Sequence, residues 1–269
     1  MRNIQREIQE NLDAIEKQNN VTILLAIESG SRAWGFASPD SDYDVRFIYV
    51  RNLFDYLRID EQKDTIEWKL DEVLDINGWD LKKALIAFAK GNPNVMEWAK
   101  SPIVYREAPE WKDICDIALQ YFSEKASLYH YAGIAKNTVN NYLQGDLVRY
   151  KKYFYALRPL LCCKWIEKYN EVPPMEFQTL LTLFDGSDPD LNSDLFDSIQ
   201  DLLEKKAVTE EKDLNPQIPV ILDFIKTECI RQNKIAEGVT SDHKQDISAL
   251  NKCFQKVLIS NARTNPADS

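Results

Sequence analysis

Residues 30–35 read Gly-Ser-Arg-Ala-Trp-Gly, and Asp42-Tyr43-Asp44 follows after six further residues. A glycine-serine turn lets the backbone come close to a ligand and offers N–H groups to phosphate oxygens. Residues two apart on a strand point to the same face, so Asp42 and Asp44 can bind a divalent metal ion from one side. The stretch therefore predicts a site that binds both phosphate and a divalent metal ion.

The neighbouring sequence predicts a β-strand on each side of this stretch. Residues 21–27 form a continuous apolar run, rich in Val and Ile, of the length expected for a buried strand. Residues 44–50 are predicted to form the second strand. Between the strands we expect a short helix, which begins at Ser31 and directs its positive end at the phosphate, followed by a loop up to residue 41.

Asp75 is the candidate for a third carboxylate. It belongs to a predicted short strand that should lie beside the Asp44 strand, and Asn77-Gly78 is predicted to break that strand before a helix begins. A third carboxylate in a two-metal site would position the attacking hydroxyl group. Two alternatives are weaker. Glu67 would need the other strand face, and Asp80 is expected on the following helix.

The chain divides into two parts with different patterns. Up to about residue 106, helical patterns alternate with short strands. From residue 107 onward the patterns are helical, at 109–122, 123–143, 147–169, 174–184, 192–206, 217–234 and 240–259. We therefore predict an α+β protein. A mixed β-sheet flanked by helices forms a catalytic domain at 1–106, an all-helical domain follows at 107–262, and the tail at 263–269 is disordered.

The composition is that of a globular chain. Of the 269 residues, 44% are hydrophobic and 28% are charged. No apolar stretch approaches the roughly 18 to 20 residues of a membrane span, and the charged N-terminus lacks the apolar core of a secretion signal. The five cysteines lack the paired spacing of a zinc site. We expect a reduced, cytoplasmic setting and no membrane partner.

The charge distribution predicts an anionic ligand of limited size. The formal net charge is −10, which argues against a general nucleic-acid coat or a membrane-surface role. Residues 121–170 nevertheless hold eight basic and three acidic side chains, a local excess of +5 against −15 for the remainder. This short basic region favours an anionic ligand of limited size over a long nucleic-acid duplex.

A basic, aromatic helix lies at the centre of that region. Helical spacing puts Lys151, Tyr155 and Arg158 on one face, with Lys152 beside them. A ring between two cations can stack on a base while the cations contact phosphates. The alternative, left open, is that Tyr155 packs in the core and the cations are solvated.

Two arginines near the carboxylates are further candidates for nucleotide contact. Arg32 directly follows the glycine-serine turn. Arg46 comes two residues after Asp44, so it shares the predicted strand face of that carboxylate. It could either reach a phosphate or brace the carboxylates.

The order Gly30-Ser31 and then Ser41-Asp42-Tyr43-Asp44 resembles the signature of the DNA polymerase beta-like nucleotidyltransferase superfamily. Further matching blocks resemble the branch of predicted nucleotidyltransferases associated with bacterial RNA repair operons. These blocks lie at residues 30–35, 38–46, 75–83, 91–93, 151–160 and 173–177.

The resemblance implies transfer of a nucleoside monophosphate from an NTP such as ATP to an acceptor hydroxyl, with release of pyrophosphate. Gly30 and Ser31 would contact the triphosphate, Asp42 and Asp44 would hold Mg²⁺ or Mn²⁺, and Asp75 would be the third carboxylate. An RNA end is the expected acceptor. Two alternatives remain: a protein acceptor such as a toxin or regulator, and a nucleotide-binding module without turnover. The sequence leaves the preferred base and the oligomeric state open.

Overall fold

The computed structural model describes residues 3–38, 41–71, 73–208, 213–240 and 246–264. Its α-helices and β-strands are, in chain order, α1 (Ile4–Asn19), β1 (Val21–Glu28), β2 (Tyr43–Arg51), β3 (Thr65–Leu70), β4 (Leu74–Asp80), α2 (Leu81–Ala89), α3 (Pro93–Ala99), β5 (Val104–Glu107), α4 (Trp111–Ala118), α5 (Glu124–Tyr142), β6 (Leu147–Val148), α6 (Tyr150–Tyr169), α7 (Phe177–Leu180), α8 (Ser193–Val208), β7 (Asn215–Pro216), α9 (Pro219–Gly238) and α10 (Ser248–Thr264). Short 3₁₀ helices span Leu53–Leu57, Leu119–Tyr121 and Leu181–Leu183. The predicted disordered tail begins too early, because residues 263–264 end α10, and its remainder, from 265 on, lies outside the described residues.

Five strands form one mixed sheet in the order β3-β4-β2-β1-β5. The pair β2 and β4 is parallel, and the other three pairs are antiparallel. Helix α1 covers one sheet face, where Ile8, Leu12 and Ile15 pack with inward-facing residues of β2 such as Val45 and Phe47. A mixed sheet followed by helices confirms the predicted α+β class. Among the described residues, no helix has the length and apolar character needed to cross a bilayer.

Strand β4 does not end at Asn77-Gly78, so the predicted strand break is wrong. The strand continues to Asp80, and α2 begins at Leu81 with Asp80 as its N-cap, whose Oδ1 accepts the N–H of Lys82 at 2.8 Å. Gly78 lies opposite Phe47 in the parallel ladder. A Cβ at residue 78 would approach the Phe47 ring to 2.2 Å. The glycine therefore marks the close approach of a ring rather than a turn.

We expect Gly78→Ala to lower the free energy of unfolding by about 1–3 kcal/mol, because overpacking a filled core forces strain on its neighbours. Phe47 is completely buried. Urea denaturation followed by circular dichroism measures the change. Gly133→Ala, a helical glycine whose Cβ would meet nothing within 4 Å, is the matched control. Equal free energies of unfolding for the two variants would show that the Phe47 ring can move aside without cost, which would contradict the prediction.

Residues 31–35 form consecutive turns, not the short helix predicted to begin at Ser31. The N–H of Gly35 donates to the carbonyl of Arg32, and the N–H of Phe36 donates to the carbonyl of Ser31, both at 3.2 Å. Gly35 has φ +83°, a left-handed conformation that glycine adopts without strain. A helix dipole therefore does not contribute at Ser31, and residues 39–40 of the following loop lie outside the described residues.

The chain clusters into two compact units. The sheet unit comprises residues 1–30, 42–121 and 243–269, and the helical unit comprises residues 31–41 and 122–242. The sheet unit thus includes α4 and α10, beyond the predicted domain boundary at 106, and the helical unit includes the loop that carries Ser31. Helices α5 to α9 form the helical unit together with the two-residue strand pair β6 and β7, which the helical patterns did not predict.

Candidate functional site

Asp44 and Asp75 are register partners in the parallel pair formed by β2 and β4. Side chains of paired residues lie on the same face of a sheet, so the two carboxylates share a face near the start of both strands. Asp42 directly precedes β2 and is exposed. The predicted adjacency of the Asp75 strand to the Asp44 strand is confirmed. The catalytic and metal-binding roles of these residues stay predictions.

Gly30 supports the Asp44 carboxylate directly. A Cβ at residue 30 would lie 1.9 Å from Oδ2 of Asp44 and 2.8 Å from its Cγ, so the carboxylate occupies the space that any other side chain would need. The backbone N–H of Ser29 also donates to the carbonyl of Asp44 at 2.9 Å. The glycine of the opening motif is therefore required by a carboxylate, in addition to any role toward phosphate.

Glu28 is a buried carboxylate that the sequence reasoning missed. It is 0% exposed. Its Oε1 accepts the backbone N–H of Asp44 at 2.8 Å, and its Oε2 accepts the hydroxyl of Tyr105 on β5 at 2.6 Å. A charged residue that ends an otherwise apolar strand just before Gly30 was a usable signal. Nothing in the sequence pointed to Tyr105, because its contact is 77 residues away in the chain.

Arg46 contacts both carboxylates of the register pair. Its Nη2 donates to Oδ2 of Asp75 at 2.7 Å and lies 3.5 Å from Oδ1 of Asp44. Its Nη1 donates to the carbonyls of Val45 and Asp75 at 3.0 and 3.2 Å. Of the two roles left open by the sequence, the structure shows Arg46 bracing the carboxylates.

Burial and mutual repulsion dominate the electrostatics of the carboxylates in this cluster. Burial raises the pKa of Asp44 above its usual value. Arg46 acts in the opposite sense, and the charges of Asp75 and Asp42 raise the pKa further. Burial likewise raises the pKa of Glu28, against the hydrogen bonds from Tyr105 and from the Asp44 backbone. Ionised carboxylates are therefore costly here unless a positive charge lies close to them.

The donor chemistry of the cluster fits a divalent ion. Carboxylate oxygens are the ligands that Mg²⁺ prefers, and the space above Gly30 is filled by one of them. No group of three carboxylate, histidine or cysteine side chains is already arranged to hold a metal ion in the part of the chain that the structure describes. Asp44 and Asp75 are instead turned toward the guanidinium of Arg46.

The two weaker candidates for the third carboxylate have different outcomes. Glu67 pairs with Asn77, and Asn77 shares the face of Asp75, so the reason given against Glu67 is wrong. A bulge between Glu67 and Lys69 shifts the register. Glu67 and Asp75 line one open cleft of about 470 Å³. Asp80 is buried, caps α2 and accepts the Tyr56 hydroxyl at 2.9 Å, which is a structural role.

In the helical unit, aromatic side chains anchor the loop that begins at Ser31. The carbonyl of Trp34 accepts the N–H of Phe177 at 2.9 Å. The ring of Phe36 stacks on Phe154 with centroids 4.7 Å apart, and its carbonyl accepts the Lys206 ammonium at 2.8 Å. Arg32 closes the loop, since its Nη2 donates to the carbonyl of Ser41 at 2.5 Å.

The predicted cation-aromatic set on α6 is only partly available to a ligand. Lys151, Lys152 and Tyr155 are half-buried. The Lys152 ammonium lies 3.7 Å from the ring centre of Tyr142, an aromatic partner that the sequence reasoning missed, and 5.1 Å from that of Tyr155.

Arg158, the last member of the set, is 4% exposed. It lies over the Trp34 ring at 4.8 Å, and its Nε donates to the carbonyl of Met175 at 3.1 Å. This burial does not favour the predicted nucleotide contact, which stays a prediction, and the guanidinium packs on the Trp34 ring.

Comparison with known sequences assigns the chain to a protein family. Residues 4–256 match the family model RlaP, described as the RNA repair pathway DNA polymerase beta family. The chain belongs to this family. The resemblance inferred from Gly30-Ser31 and the carboxylate pair is thereby confirmed.

The chain is similar to one curated protein in sequence and to one solved structure. The uncharacterized protein YcgL of Bacillus subtilis (strain 168) is 43% identical over 250 residues, covering 93% of this chain and 94% of the relative. A crystal structure of a nucleotidyltransferase-like protein from Exiguobacterium sibiricum 255-15 covers 94% of this chain and 80% of its own, with 12% identity and a TM-score of 0.31. The structural likeness is too weak to support a conclusion.

Proposed function

We propose that this protein is a metal-dependent nucleotidyltransferase that moves a nucleoside monophosphate from an NTP to an acceptor hydroxyl. The observation that carries the proposal is the carboxylate pair. Asp44 and Asp75 are in register on parallel strands, and Asp44 packs on a glycine that leaves room for nothing else. Membership of the RNA repair pathway DNA polymerase beta family supports the same chemistry.

The proposed reaction is an in-line displacement at the α-phosphorus of the NTP. The acceptor oxygen forms a bond to that phosphorus, and the bond to the oxygen bridging to the β-phosphate breaks. Pyrophosphate leaves with the electron pair, and the hydroxyl proton passes to a carboxylate or to water. Little covalent chemistry is left to the protein, which mainly positions the reactants and stabilises charge.

Residues of the sheet unit have separate proposed roles in metal binding, in acceptor orientation and in positioning Asp44. Asp42 and Asp44, with Asp75, would hold Mg²⁺ or Mn²⁺, which when bound neutralises phosphate charge and lowers the pKa of the acceptor hydroxyl. Asp75 would also orient that hydroxyl. Glu28 and Gly30 fix the backbone and the carboxylate of Asp44.

The nucleotide contacts are proposals of the same kind. Gly30, Ser31 and Arg32 supply backbone donors and one cation at the start of the loop. Lys151, Lys152 and Tyr155 supply cations and a ring for phosphate and base. Arg158, which packs on Trp34, is the remaining proposed nucleotide-binding residue. An RNA end is the proposed acceptor, which the family description supports.

Transfer of label from an α-³²P-NTP tests the proposal. Purified protein is incubated with Mg²⁺ or Mn²⁺, a pool of small RNAs and each of the four labelled NTPs in separate reactions. Label is expected in the RNA with at least one of the NTPs. Nuclease should release the label and protease should not. Label that resists nuclease and yields to protease would indicate a protein acceptor. Nucleotide binding by equilibrium dialysis, without transfer to RNA or protein, would contradict the proposed enzyme and favour a binding module.

A further inference from the structure

We propose that Arg46 is an internal counter-ion that holds Asp44 and Asp75 before metal and nucleotide bind, and that it then turns to a phosphate of the nucleotide. This inference rests on the proposed function, because it concerns the same carboxylates. It assigns to Arg46 both of the roles that the sequence left open, in succession.

The first step is geometric. A single nitrogen of Arg46, Nη2, lies 2.7 Å from an oxygen of Asp75 and 3.5 Å from an oxygen of Asp44. Each carboxylate has a second oxygen, but a metal ion held between the two carboxylates would lie beside the guanidinium charge and draw on the oxygens that Nη2 contacts. The guanidinium and a metal ion therefore compete for the space between the two carboxylates, and the carboxylates cannot bind both fully at the same time.

The second step concerns charge. Asp44 and Asp75 are register partners on neighbouring strands, and each places a carboxylate oxygen within 3.5 Å of the same Arg46 nitrogen. Without a cation this arrangement would be unstable, since like charges in a half-buried place repel one another. Arg46 supplies the positive charge from within β2. The cluster can therefore fold before any metal is present.

The third step concerns release. An arginine presents five N–H donors in a planar fork that matches phosphate as well as carboxylate. Arg46 follows Asp44 by two residues and lies on the same sheet face, so it stays beside the carboxylates after it leaves them. A triphosphate would offer the guanidinium a replacement partner. Nucleotide binding should then raise the affinity of the carboxylates for metal, and metal should raise the affinity for nucleotide by the same factor.

A second arginine on the same strand serves as a matched control. Arg51 ends β2, its side chain is 15% exposed against 16% for Arg46, and its Nε lies 3.8 Å from Asp80 of β4. The Asp80 carboxylate also caps α2 and accepts the Tyr56 hydroxyl. Arg51 therefore belongs to a structural cluster, whereas Arg46 belongs to the candidate site.

The test measures Mn²⁺ binding to the full chain by isothermal titration calorimetry, with and without a non-hydrolysable NTP analogue. We expect Arg46→Met to bind Mn²⁺ about tenfold more tightly than wild type in the absence of nucleotide, because the competing cation is gone. The analogue should tighten Mn²⁺ binding to wild type and have little effect on the variant. Nucleotide transfer should nevertheless fall, since the phosphate contact is lost. Arg51→Met should leave Mn²⁺ affinity unchanged.

Equal or weaker Mn²⁺ binding by Arg46→Met would overturn the inference. Arg46→Gln, which keeps a polar side chain, repeats the measurement should the methionine variant not fold, with thermal denaturation as the check. The inference alone fails when wild type transfers nucleotide but both Arg46 variants bind Mn²⁺ as wild type does. When wild type neither binds Mn²⁺ nor transfers nucleotide, the proposed function fails with it.

Discussion

Replacing both Asp42 and Asp44 with alanine should lower nucleotide transfer by ~1000-fold or more, because the phosphoryl-transfer step depends on charge stabilisation that these carboxylates would organise. The residual rate is measured as label incorporated from α-³²P-NTP under saturating Mg²⁺. Asp64→Ala is a suitable control, since Asp64 is an exposed, ion-paired carboxylate of the same unit and its Oδ1 lies 2.9 Å from the Lys83 ammonium.

The double variant should remain folded, which makes the loss interpretable. Burial already raises the pKa of Asp44, so removing its carboxylate relieves a cost. Arg46 keeps its shorter contact, the one to Asp75 at 2.7 Å. Thermal denaturation is therefore expected to change little. A folded double variant that still transfers label at the wild-type rate would contradict the assignment of Asp42 and Asp44.

The parts of the site that follow from local pattern were predictable from the sequence. An apolar run predicted β1, residues 44–50 were predicted to form β2, and two-residue spacing predicted that Asp44 and Arg46 share a face. The Asp75 strand was predicted to lie beside the Asp44 strand, and the two are paired. Runs of apolar residues and the two-residue period of a strand are local features, and both can be read from a single sequence.

The parts that depend on distant contacts were not predictable. Asn77-Gly78 has strong turn character, yet β4 continues through it, because Phe47 of the neighbouring strand needs the space that glycine leaves. The loop after Gly30 was expected to be helical, but Trp34 and Phe36 fix it through aromatic contacts and backbone hydrogen bonds within the helical unit. In both places tertiary packing overrides local propensity.

Charged groups were the hardest to assign, because their partners decide what they do. The position of Arg46 in the sequence allows contact with either a phosphate or the carboxylates, and the structure shows its contacts with Asp44 and Asp75. Arg158 has the spacing of a ligand-binding side chain, yet it is buried and packs on the Trp34 ring. Spacing places a side chain on a face, whereas its neighbours across the fold determine its function.

Gly30→Ala should reduce nucleotide transfer by about 100-fold, because a displacement of roughly 1 Å at a reacting group is enough for such a loss. The added methyl group would lie 1.9 Å from Oδ2 and 3.1 Å from Cβ of Asp44, so the carboxylate must rotate away. Transfer of label from α-³²P-NTP measures the rate, and calorimetry with Mn²⁺ measures whether the metal site is weakened in parallel.

The stability of Gly30→Ala should fall much less than its activity. The atoms that clash with the new methyl group are the end of one side chain, which is 34% exposed and can turn toward solvent. Gly133→Ala, in the open interior of α5, controls for the general effect of adding a methyl group and should retain both activity and Mn²⁺ affinity. If Gly30→Ala keeps full activity and normal Mn²⁺ binding, the position of the Asp44 carboxylate over Gly30 is not the active one. Loss of activity with unchanged Mn²⁺ affinity would instead locate the importance of Gly30 in the approach of the triphosphate to its backbone.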